Sequence, residues 1–103
     1  MPNHPCTVWV RSSMQNYMWL MVLGIALGRE YTHRYGKKHK SSELLFDLPD
    51  IDLPDRGLTT FAQAMPDEYR NSDPITAYRD YYRNDKAYIA KWSNRDTPSW
   101  WTA

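Results

Sequence analysis

Apolar positions recur at helical spacing from Met14 onward, at Tyr17, Met18, Met21, Ile25 and Gly28. Leu20, Leu23 and Leu27 widen this stripe until the middle of the segment is apolar nearly all round. The pattern predicts a long helix over Met14–Tyr35 at the centre of the fold, with Ser12 or Ser13 as its N-cap. Gly24 and Gly28 sit one turn apart, where another backbone can approach closely. Gly36 then supplies a left-handed stop, and Arg34 and the lysines after it suit the negative end of the helix.

Shorter signals flank this segment. Pro2 and Pro5 keep the lead extended, and a short helix is expected over Cys6–Arg11 with Pro5 in its first turn. Ser41 or Ser42 offers a cap for a helix over Glu43–Leu48, closed by Pro49. The stretch PDIDLPDRGLTT reads as an acidic connector that wraps the domain, and Phe61–Met65 as one helical turn. Asp73-Pro74 marks a clear helix start, and the second long helix is expected over Pro74–Trp92. Ile75, Tyr78, Tyr82, Ile89 and Trp92 form its stripe, with Arg79, Arg83 and Lys86 along a neighbouring edge. No strand-like alternation and no internal repeat is present. The expected fold is all-α in one domain: a small bundle of two long helices packed together, with short helices and a wrapping acidic loop.

Composition narrows the function classes. The 103 residues include 5 Trp and 8 Tyr, which help a short chain build a core. A net charge of +1 excludes a global electrostatic field, so any basic surface must be local. One cysteine excludes an intramolecular disulfide framework. The apolar run Met18–Leu27 is short of the ~20 residues that span a bilayer, so no membrane partner is expected.

The densest chemistry lies in the turn after the long helix: Arg34, Lys37, Lys38, His39 and Lys40, beside Tyr31 and Tyr35. Clustered cations contact phosphate and tyrosine rings stack on bases. Arg79, Arg83, Lys86 and Lys91 extend this surface if the two long helices are neighbours. The competing reading is a solvated helix end whose charges only match the dipole. His4, Cys6, His33 and His39 match no strong zinc spacing, so no metal or other cofactor is expected. Glu30 is a candidate base, but an ion pair with Arg34 one turn on is favoured. If Met1 is removed, Pro2 becomes a secondary amine able to attack a sugar C1′. The aromatic end, Tyr81, Tyr82, Tyr88, Trp92, Trp100 and Trp101, is better explained by packing of the tail than by base stacking.

Three stretches together, NHPCTVWVRSSMQNYMWL, EYTHRYGKKHKS and AMPDEY followed by AYRDYYRNDKAYIAKWSNRDTPSWW, resemble a family of small bacteriophage proteins. More loosely, Asn3-His4-Pro5, a long helix, a tyrosine and then His39-Lys40-Ser41 are similar to the pyrimidine-dimer DNA glycosylase family. That second resemblance implies a compact helical DNA-repair fold. Its members flip a nucleotide from the stack and attack with an N-terminal amine, helped by a glutamate. The segment that would carry those groups lies before Asn3 in the family pattern, so the chain reads as the second half of a longer fold. No catalytic residue carries over; Asn3, His4, His39 and Lys40 are the matched positions. The resemblance implies a DNA-associated protein of the host cytoplasm, binding DNA or a partner subunit through the basic turn. The alternative is a non-enzymatic interaction module or homo-oligomer.

Overall fold

Each helix start has a local chemical cause. In the computed structural model, which describes residues 1–101, His4 is extended and its Nδ1 accepts the Cys6 amide at 3.1 Å. Helix α1, Pro5–Arg11, therefore begins on a histidine cap with proline in its first turn. Ser13 caps α2, Met14–Tyr35; its Oγ accepts the Asn16 amide at 3.0 Å and donates to the Gly57 carbonyl at 2.8 Å. Helix α2 ends at Gly36, whose φ of 68° lies where glycine is favoured and whose N–H returns to the Thr32 carbonyl at 2.8 Å.

Helix α3, Lys40–Leu44, continues into a 3-10 turn over Leu45–Asp47. After an extended connector and a 3-10 turn at Asp67–Tyr69, Asp73 Oδ1 accepts the Ile75 amide and opens α4, Pro74–Asp85. Short 3-10 turns follow at Ala87–Ile89 and Ser99–Trp101. No strand occurs among the described residues, and the fold is all-α.

Three local details differ from the sequence expectations. The third helix starts at Lys40, not Glu43, because the His39 imidazole rather than Ser41 or Ser42 supplies the cap. Phe61–Met65 is not helical. The Tyr78 hydroxyl donates to the Ala62 carbonyl at 2.6 Å and accepts the Ala64 amide at 3.2 Å, so backbone groups that a helix would use are taken by a side chain. Helix α4 stops at Asp85 rather than Trp92: Lys86 leaves helical geometry (φ −116°, ψ 10°), with its ammonium over the Tyr81 and Tyr88 rings.

The largest difference is in packing. Helix α2 lies against α1, α3 and the 45–47 turn, and no Cα of α4 comes within 8 Å of an α2 Cα. Helix α4 lies instead against the turns at 67–69, 87–89 and 99–101. The expected direct contact of the two long helices is replaced by contacts through the connector and the tail.

The connector does wrap the domain. The Met14 amide donates to the Pro54 carbonyl at 2.8 Å, and the Gly57 amide to Gln15 Oε1 at 3.0 Å. Asn16, fully buried, donates to the Trp9 carbonyl (2.7 Å) and Thr59 Oγ1 (2.8 Å) and accepts the Thr59 amide (3.0 Å). Trp9, Trp19 and Phe61 cluster beside it, with centroids 4.7–5.8 Å apart. Among the described residues no helix is long and apolar enough to cross a membrane.

Candidate nucleic-acid interface

The basic turn is built on two fixed points. Gly36 reverses the chain in the left-handed region, and the His39 Nδ1 accepts the Ser41 amide at 3.1 Å. Between and beside them Lys37, Lys38 and Lys40 stand exposed. Tyr31 backs the turn: its ring meets the His39 ring edge-on at 4.8 Å and the Tyr35 ring at 4.8 Å. Among the described residues none of these lysines has an acidic partner within ion-pair distance. The connector aspartates leave them uncompensated; Asp55 instead accepts from the Gln15 amide side chain.

Arg34 is used differently. Its Nε pairs with Glu30 Oε2 at 2.7 Å, and a guanidinium nitrogen donates to the Lys91 carbonyl at 3.0 Å. Glu30 also receives Arg95, at 2.9–3.1 Å. Hydrogen bonds from Arg95 and then Arg34 hold the Glu30 carboxyl down at about 2. Glu30 is thus ionised and engaged near neutral pH, which fits the ion-pair reading over a general base. His33 Nε2 donates to the Asn94 carbonyl at 2.9 Å. Asn94, in left-handed backbone (φ 58°), donates through Nδ2 to the Arg34 carbonyl at 3.2 Å and so fills an orphan acceptor at the end of α2.

The cations of α4 and Lys86 just beyond it are each engaged by the aromatic end. The Arg79 guanidinium lies 5.2 Å over the Trp100 ring. Arg83 donates to the Trp100 carbonyl at 2.7 Å and pairs with Asp80. Lys86 sits over Tyr81 and Tyr88, and these neighbours, Tyr81 first, raise its ammonium above the usual lysine value. Trp92 meets Trp101 at 4.8 Å, and Trp101 meets Trp100 at 5.7 Å. The tail therefore fastens to the end of α2 through Lys91, Asn94 and Arg95, and to α4 through Trp100. It bridges Arg34 and the α4 arginines, which direct packing of the two long helices does not do.

The remaining predicted positions take structural places. His4 caps α1 and Asn3 is exposed before it. The Pro2 carbonyl accepts a bond from Arg11. Cys6 lies beside the Tyr78 hydroxyl, whose pKa is raised, chiefly by burial. Among the described residues no three His, Cys, Asp or Glu side chains gather as a metal site would need.

One feature escaped the sequence reading. A groove of about 530 Å³ opens between α2 and α3, lined in part by Ile25, Gly28, Arg29, Lys38, Glu43 and Phe46. The signal was Gly28: a Cβ there would collide with the Ser42 side chain, so glycine lets α3 lie close and shapes the groove. Comparison of the chain with protein-family models, with curated proteins and with solved structures finds no match.

Proposed function

We propose that this is a DNA-associated helical protein, related to the phage and glycosylase families it resembles, that grips the phosphate backbone with the turn after α2. The observation that carries this reading is the set Lys37, Lys38 and Lys40. They are exposed and uncompensated, on a turn held at one side by Gly36 and at the other by the His39 cap. Arg34, held by Glu30 and the Lys91 carbonyl, and His39, whose Nδ1 takes the Ser41 amide, fix the shape of the turn. Arg79, Arg83 and Lys86 brace the aromatic end and form a secondary rim. Catalysis is not assigned to any residue.

Fluorescence anisotropy with a short labelled duplex tests the reading. Three phosphate contacts give a log–log salt slope of about −2.7, a loss of roughly 40-fold between 50 and 200 mM salt. Lys37→Ala combined with Lys40→Ala leaves a slope near −0.9 and roughly a 3-fold loss over the same range. Binding that ignores salt, or that survives the double substitution unchanged, overturns it.

A further inference from the structure

The most apolar helix carries a face that stays open among the described residues from Met18 to Arg29, with Gln15, held by the connector, at its N-terminal edge. At ~100° per residue, Gln15, Met18, Val22, Ala26 and Arg29 fall within an arc of about 80° on α2. Met18 is 59% exposed and Val22 68%, and Ala26 and Arg29 are exposed too. Helix α3 and the turn after it pack on another side, where Ser42 lies at Gly28 and Leu45 at Gly24.

The whole molecule carries the same mark. Its accessible surface is 7880 Å², whereas a compact monomer of its mass exposes about 6,000 Å². Its radius of gyration is 15.6 Å, against about 13 Å for a compact domain of this length. The excess of roughly 1,800 Å² is about twice one partner's share of a standard protein interface, ~800 Å².

We infer that a second copy of this chain covers the Met18–Val22–Ala26 face of α2 in an antiparallel helix pair with Val22 on the two-fold axis. The sequence of the face is complementary to itself in that arrangement. Met18 meets the partner's Ala26, a long side chain against a small one, and Trp19 and Ile25 flank the seam. Gln15 meets the partner's Arg29. Gln15 already holds the Asp55 carboxylate beside it, so each Arg29, without an ion pair among the described residues of its own chain, gains an acid across the seam. A parallel pair would instead stack Arg29 on Arg29. The pairing is isologous, so it closes at two copies. It does not involve the lysines of the turn and stands apart from the DNA reading.

Sedimentation equilibrium tests it. The wild type should run at twice its 12.2 kDa mass at low micromolar concentration, and Val22→Asp at the monomer mass with unchanged helical circular dichroism. Arg29→Asp should weaken the dimer about tenfold, and adding Asp55→Arg should restore it. Should Val22→Asp fail to fold, Val22→Cys provides a second route: oxidation links it into a dimer through residue 22, with the wild type, carrying only Cys6, as control. A wild type still monomeric at about 100 µM, a dimer indifferent to Val22→Asp or to charge reversal, or no cross-link at residue 22 would each overturn the inference.

Discussion

Helices α2 and α4 are held in opposite ways. Helix α2 is the apolar one, yet its sole fully buried residue is Asn16, and Met18, Val22 and Leu27 remain open. Polar pins hold it at both ends: Ser13 and Asn16 to the connector, and His33, Arg34 and Glu30 to the tail. Helix α4 is far more polar, yet it contains Ala77, the only fully buried apolar side chain among the described residues. It lies against short turns that press onto its aromatic side. Burial follows from which segments reach a face, and apolarity alone does not provide a cover.

The largest test of this contrast is Asn16→Ala. It leaves the part-buried Thr59 amide without its side-chain acceptor, removes a donor from the Trp9 carbonyl and loosens the connector on α2. A loss of about 3 kcal/mol is expected in urea unfolding, more than an apolar truncation on the open face of the same helix would cost. Tyr78→Phe is the matching change in α4. It keeps the ring and removes the hydroxyl that serves Ala62 and Ala64, so a loss of about 1–2 kcal/mol is expected by the same measurement.

The smallest effect is a pH dependence at the far end of α2. The folded Glu30 carboxyl sits at about 2, below its ordinary value of 4.5. A depressed carboxylate contributes stability that is full above the ordinary value and fades as pH falls from about 4.5 towards 2. Glu30→Gln should therefore flatten the acid limb of the stability curve in that window and change little between pH 6 and pH 8. Thermal unfolding across pH reads the difference. A wild-type acid limb that Glu30→Gln leaves intact would mean the Arg95 and Arg34 contacts do not anchor the tail.

Within the site, an exposed basic turn was legible in the sequence, because lysines clustered after a helix-stopping glycine stay in solvent. The roles of His4 and His39 were not. An imidazole nitrogen caps a helix as an aspartate does, but histidine invites a catalytic or ligating reading first. Arg34 and Glu30 were legible as a pair at helical spacing. Arg95 was not, because it lies 65 residues from its carboxylate and nothing local announces it.

The chain by itself determined the starts of the two long helices and the end of α2. Ser13, Gly36 and the Asp73-Pro74 pair act through bonds and torsions within a few residues, so their effect survives any tertiary setting. Only the folded structure decided where α4 stops, how the two long helices relate and which apolar face stays bare. Those outcomes depend on long-range contacts, Tyr78 on the connector and Trp100 on Arg79 and Arg83, whose free energy arises only when distant segments meet.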